Sequence, residues 1–372
     1  MKSKKRLGRL AACFMLALVL PSIAARAEEL RFDAIRVPVS APGGIRSLEL
    51  EPSWCDRMTG LRIRSQCSTT VRRATPMIVR RHRLTGCGRR RLRLRGGVVV
   101  VPMRRGYGSS QGEWAEGYGS CANPDYAAAG RQGASDIAAV ARYMSGQSYV
   151  GKGKWISIGH SAGAFATLAL AADAPNDLAA AIAFAPGRGS TSPDAVCGEK
   201  QLIAAFAQYG KTSRVPLLWV AAENDHFFGP RLVPLLTGAF SSAGGNLTFV
   251  KTAAFGGDGH QLFTTASGIP IWSPIVDRFL AANNLTLRDH LMDITPPNVA
   301  TPPGLSSQGR ETFKTYLESG PHKAFAVADS SRFGWATGRR TPEEARKAAM
   351  GYCASGTSAK CRIVNVNNQP AH

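Results

Sequence analysis

Residues 154–172 read KWISIGHSAGAFATLALAA, and few folds accept that order of residue types. Lys154–Gly159 is a short, mostly apolar run that reads as a strand, while Ala162–Ala172 is rich in Ala and Leu, which favour helix. Only a few residues separate the two, so the strand must bend directly into the helix. Gly159 and Gly163 flank the bend, and their small size lets the backbone turn tightly. A strand that feeds straight into a helix points to a parallel sheet with helical crossovers.

The alternation continues along 97–282. Gly97–Met103 (GVVVVPM) is apolar throughout, as expected of a strand buried on both faces. A Gly/Ser-rich loop follows over 104–124. Ile137, Val140, Ala141 and Met144 stand at helical spacing within 126–146. Further strands are expected at 178–185, 215–222 and 247–252, and further helices at 201–209 and 271–282. The pattern predicts a mostly parallel sheet covered by helices on both faces.

Both ends differ from this middle. Residues 1–27 carry a basic start, a short apolar core from Leu10 to Leu20, and Ala25-Arg26-Ala27 as a cleavage site. They are expected to be an export signal, since the apolar run is shorter than the ~20 residues needed to span a bilayer. The main domain is expected over 28–285. Residues 286–310 are rich in Pro, Ser and Thr and read as a linker. A small unit over 311–372 follows, with strands near 325–327, 333–336 and 361–366. Its helix is announced by Thr341 as N-cap, Pro342 in the first turn and Glu344 three residues after the cap.

The formal net charge is +21, yet two segments carry nearly all of it. Residues 1–27 hold six Lys/Arg and no acid; residues 57–95 hold thirteen Arg and no Lys, Asp or Glu, leaving +2 for everything else. That distribution argues against a nucleic-acid binder, as does the absence of aromatics for stacking in 57–95. Three readings compete for 57–95: an arm for anionic surfaces, a solvated insertion, or a stretch translated out of frame from a GC-rich gene. The abrupt change of composition favours the third.

Two segments match G-x-S-x-G, Gly159–Gly163 around Ser161 and Gly108–Gly112 around Ser110. In serine hydrolases this pattern places a nucleophilic Ser on the bend between strand and helix, where the next amide and the helix N-terminus stabilise negative charge on the substrate oxygen. Ser161 has that context. Ser110 does not, because Arg104, Arg105 and Tyr107 separate it from the preceding strand and no helix follows.

An acid and a His then follow in the order the chemistry uses. Asp225 lies just beyond the strand 215–222, and His260 lies in the Gly-rich run Gly256–Gln261. His260 would take the Ser161 proton and later return it, with Asp225 holding the imidazole tautomer. Glu223 is a rival acid, though nearer the strand; Asp258 is spaced from His260 as a turn-forming residue would be. His226 adjoins the candidate acid and precedes the final strand. His160 sits inside the bend and is expected to face away from the nucleophile.

These segments (GHSAG, AENDHF, GGDGHQLF and VVVVPMRRGYGSSQGEW) resemble the dienelactone hydrolase-like branch of the α/β-hydrolases, which is similar to the prolyl oligopeptidase-type serine peptidases. The resemblance spans about 97–282. It implies an α/β-hydrolase fold, here with a small C-terminal α+β appendage, and an exported serine hydrolase that cleaves an ester or lactone through an acyl-enzyme. It carries over Ser161 as nucleophile, Asp225 as acid, His260 as base and the Ala162 amide as one oxyanion donor. It implies no cofactor and no metal. The partner would be a small ester, a lactone or a short peptide, with no nucleic acid and no stable membrane anchor, in the periplasm or outside the cell. A prolyl oligopeptidase-like peptidase is the alternative within this class. A catalytically impaired relative, binding a ligand or inactive, is the alternative outside it.

In such hydrolases a second oxyanion amide follows an early strand ending in His-Gly. The nearest trace here is Pro76–Arg83, with Arg83 where Gly is expected. Seven Cys follow the expected signal. Cys121 and Cys197 fall in loops expected at one edge of the sheet, where a bridge would staple the pocket rim; Cys353 and Cys361 are expected to pair in the C-terminal unit. Cys55, Cys67 and Cys87 are left over.

Overall fold

The computed structural model describes residues 31–33, 37–40, 47–50, 52–57, 65–70, 98–107, 110–148, 150–151, 153–285, 298–319, 322–329, 331–337, 339, 341–355 and 360–371. The expected signal and residues 286–297 of the expected linker lie outside them, as does Pro76–Arg83.

The early chain contributes β1 (Arg31–Asp33), β2 (Val37–Ser40), β3 (Ser47–Leu50), β4 (Pro52–Arg57) and β5 (Ser65–Thr70). Then come β6 (Val98–Pro102), α1 (Tyr126–Ser145), β7 (Trp155–His160), α2 (Ala162–Ala172) and β8 (Leu178–Phe184). A short hairpin, β9 (Ser190–Ser192) and β10 (Ala195–Val196), precedes α3 (Glu199–Gly210), β11 (Leu217–Ala222), α4 (Leu232–Ser242), β12 (Leu247–Thr252) and α5 (Ile269–Ala282).

Eight of these strands form one sheet in the order β1-β4-β6-β5-β7-β8-β11-β12. Counted along the chain within the sheet, that order is 1-2-4-3-5-6-7-8. Only the contacts of β4 with β1 and β6 are antiparallel; from β6 to β12 every pairing is parallel. Alternate residues of the central strands enter two cores, because side chains of a strand point to opposite faces. Val98, Val100, Trp155 and Trp219 meet residues of α1 to α4, while Val99, Ile156, Ile158 and Val220 meet Phe263 and α5. Burial on both faces explains why these strands are continuously apolar rather than alternating.

β5 lies inside 57–95, which shows no strand period in its sequence. It nevertheless occupies the slot between β6 and β7, with Thr70 level with His160. Its backbone pairs with both neighbours there, and the composition gives no sign of it.

The C-terminal unit holds α6 (Ser307–Leu317), β13 (Ala324–Ala328), β14 (Phe333–Ala336), α7 (Pro342–Ala354), β15 (Cys361–Val366) and β16 (Gln369–Pro370). Its antiparallel sheet runs β14-β13-β15-β16. Thr341 caps α7 through its side chain, accepting from the Glu344 amide at 3.2 Å, as expected. The unit begins earlier than the sequence predicts: Ser306 caps α6 by accepting from Gly309 N at 3.1 Å, inside the expected linker. A single Ser cap among Pro, Ser and Thr residues is easily mistaken for loop. Both expected disulfides form, Cys121–Cys197 and Cys353–Cys361. Among the described residues no helix is long and apolar enough to cross a membrane.

Candidate active site

Ser161 stands where β7 ends and α2 begins, at φ 55° and ψ −124°. Such a backbone costs a non-Gly residue about 1–3 kcal/mol and persists only where its surroundings hold it. They do so here. Ser161 N donates to Phe184 O at 3.0 Å, and its own carbonyl accepts from Phe165 N at 2.9 Å and Gly187 N at 3.4 Å. A Cβ at Gly159 would lie 2.4 Å from the Gly163 carbonyl oxygen, so the bend admits no side chain there. Ala162 is the first residue of α2, so its amide is one of the helix's unsatisfied N-terminal donors.

Asp225 and His260 come together from two loops at the same edge of the sheet. His260 Nδ1 lies 3.0 and 3.2 Å from the two carboxylate oxygens of Asp225. Both residues are buried, at 2% and 1% exposure. Phe227 and Phe228 amides donate to Asp225 Oδ1 at 2.7 and 3.0 Å, which fixes the carboxylate before it meets the imidazole. Gly259 brings the His loop in: its amide donates to Asn224 O at 3.0 Å, and a Cβ there would lie 2.6 Å from that of Ala222. With Nδ1 against a carboxylate, the neutral ring keeps its proton on Nδ1, and the ring lone pair lies on Nε2. Nε2 is buried and has no hydrogen-bond partner among the described residues.

The rival residues have other occupations. Ser110 donates its hydroxyl to Met103 O at 2.5 Å and lies in a loop. Glu223 is exposed and pairs with Lys251 at 3.3 Å. His226 Nδ1 pairs with Asp194 at 3.2 Å on the cavity rim. Asp258 serves the turn: its Oδ1 accepts from His260 N at 3.0 Å and His226 N at 3.2 Å, tying the two loops together. His160 is engaged as well. Its ring lies 4.6 Å from that of His260, and its Nε2 donates to the His260 carbonyl at 2.8 Å. It supports the His loop, a contact between residues 100 positions apart that no local pattern reveals.

A cavity of about 1230 Å³ opens beside Ser161 and Ala162, walled by Tyr107, Trp114, Arg188 and the 190–194 hairpin. The Cys121–Cys197 bridge joins its two flanking loops. No cluster of His, Cys, Asp or Glu able to hold a metal occurs among the described residues.

This strand order, with a strained Ser between a parallel strand and a helix, is that of an α/β-hydrolase. Within it, residues 90–188 match the prolyl oligopeptidase family. The fold is similar to an esterase of Pyrococcus furiosus, at 14% identity and a TM-score of 0.46 over 68% of this chain and 90% of that one. It is also similar to an acylaminoacyl peptidase of Pyrococcus horikoshii, at 12% identity and a TM-score of 0.49 over 72% of this chain and 44% of that one. A third is the Thermogutta terrifontis esterase 2 phosphorylated by paraoxon, at 14% and 0.44 over 69% and 96%. No curated protein matches the chain in sequence.

Proposed function

We propose that the protein is an exported serine hydrolase that cleaves an ester or lactone through an acyl-enzyme. The observation that carries this reading is the buried Asp225–His260 pair, whose Nε2 is left without a partner at the same sheet edge as the strained Ser161. His260 removes the Ser161 proton as Oγ attacks the carbonyl, and returns it to the leaving group. Asp225 holds the tautomer and stabilises the imidazolium. The Ala162 amide stabilises the oxyanion; one such donor is worth ~10²–10³ in turnover. Water then enters by the same route, with His260 as its base. Two disulfides and the basic, apolar start of the chain support export. In this reading 57–95 is out of frame, and its composition remains the support for that.

A second reading, a peptidase, is favoured by the family match over 90–188. A panel of p-nitrophenyl esters, lactones and Pro-containing peptides separates the two. The proposal expects ester or lactone turnover to fall ~10⁴-fold or more in Ser161→Ala. Peptide turnover alone would replace it with the second reading, and no turnover of any substrate by folded protein would overturn both.

A further inference from the structure

In the proposed reaction the proton of Ser161 Oγ passes to His260 Nε2, so a ring that is 2% exposed becomes an imidazolium. A buried charge is costly unless its surroundings answer it. Asp225 answers it at Nδ1. The ring also meets other rings. That of Phe227 lies 4.1 Å away at 30°, that of His160 4.6 Å away at 52° and that of Phe228 5.8 Å away at 60°. Phe227 is the nearest of the three and the closest to parallel, so its face lies over the imidazole.

The place of Phe227 sets it apart from its neighbour. Phe228 belongs to the apolar core, and a Cβ at Gly187 would lie 2.4 Å from its ring. Phe227 is half-buried and lines the cavity. Its backbone amide serves Asp225 Oδ1 at 2.7 Å, a contact that any residue but Pro supplies. The carboxylate therefore does not dictate which side chain stands at 227. A half-buried place on a cavity wall suits many apolar residues. Only an aromatic one sets a negative π face against a forming cation.

We propose that the face of Phe227 stabilises the His260 imidazolium through a cation–π contact. Phe227 acts through the base and is a positioning residue for it. An aromatic face within about 6 Å of a cation attracts it, more strongly where water is excluded. The neutral imidazole gains less from the same contact, because the ring quadrupole acts on charge. The contact is therefore stronger in the transition state, where the proton has moved, than in the resting enzyme, and such a difference is what raises turnover. Formation of the acyl-enzyme and its hydrolysis both pass through the imidazolium, so either step reports the effect. The inference rests on the reading of His260 as the base of a Ser161 hydrolase.

Phe227 is replaced in turn by 4-fluoro-, 3,5-difluoro- and 3,4,5-trifluorophenylalanine, which keep the ring and drain its π face. Kinetics are read on p-nitrophenyl butyrate, or on the best substrate of the panel above. The expected result is a kcat that falls with each added fluorine, about tenfold in all, with KM within about twofold. Phe227→Trp is expected to keep turnover within about threefold, and Phe227→Leu to lose about tenfold. Thermal melts are expected to stay level across the fluorinated series, so that a merely structural role moves neither reading. A flat kcat across that series overturns the proposal, and so does Phe227→Leu turning over as fast as the native chain. Should Phe227→Leu not fold, the fluorinated rings decide alone. Folded native protein that turns over no ester, lactone or peptide overturns the hydrolase reading and this proposal with it; native turnover with a flat series overturns this proposal alone.

Discussion

His160 and His260 lie with their rings 4.6 Å apart, and the side chain of the first donates to the backbone carbonyl of the second at 2.8 Å. The residue before the proposed nucleophile thus holds the loop that carries the proposed base. His160→Phe keeps a ring in place and removes the donor. We expect turnover to fall about tenfold, about 1.4 kcal/mol in barrier, with KM little changed. Steady-state kinetics on a p-nitrophenyl ester, with a thermal melt to separate a loss of fold, checks this. Unchanged turnover contradicts the positioning role.

Asp258 joins the same two loops by accepting from the His226 and His260 amides. Asp258→Ala leaves both amides without this acceptor, at a cost of about 1–3 kcal/mol. Asp258→Asn keeps an acceptor oxygen and is expected to recover most of that loss. Chemical denaturation of the two variants distinguishes them; equal destabilisation contradicts the account.

The two disulfides differ in the loops they close, with sequence separations of 76 and 8 residues. In the chain-entropy model the longer closure is worth about 4.5 kcal/mol and the shorter about 2–3 kcal/mol. Cys121→Ser/Cys197→Ser should therefore lower stability more than Cys353→Ser/Cys361→Ser. Paired melts under oxidising conditions measure the difference, and the opposite order contradicts the prediction.

Lys323 is buried in the C-terminal unit and caps α6, its Nζ donating to the carbonyls of Tyr316, Leu317 and Ser319 at 2.7–2.8 Å. Burial pushes its pKa down from 10.5 to about 7. Between those values the unfolded chain binds more protons than the folded one. The unit's stability therefore rises as pH increases from 7 towards 10.5 and levels off above. Lys323→Met should remove that slope. Melts of the full chain at pH 7 and 10 test it, and an identical slope in the variant contradicts it.

Most of the core sheet, and the pairing of Asp225 with His260 in the candidate site, are legible for one physical reason. Strands such as Val98–Pro102 and Leu217–Ala222 are buried on both faces, and their uninterrupted apolar runs stand out between helical patterns. Ser161, Asp225 and His260 follow such runs or a Gly-rich loop, and their chain order is itself a signal. The early strands gave no such signal. β5 is held by backbone pairing with β6 and β7, and its sequence, SQCSTT, carries no apolar period. α4 was missed because Pro234 stands in its first turn, and Pro near a helix start reads as a break when no cap precedes it. The Arg188–Glu116 pair joins residues 72 apart, and the His160–His260 contact joins residues 100 apart. Only the fold brings such partners together.

The central claim is that Ser161 is the nucleophile. A fluorophosphonate probe, followed by peptide mapping of the adduct, tests it most directly. The account predicts one adduct, on Ser161, that is lost in Ser161→Ala and kept in Ser110→Ala. Folded protein that takes no label, or label that persists in Ser161→Ala, would contradict it.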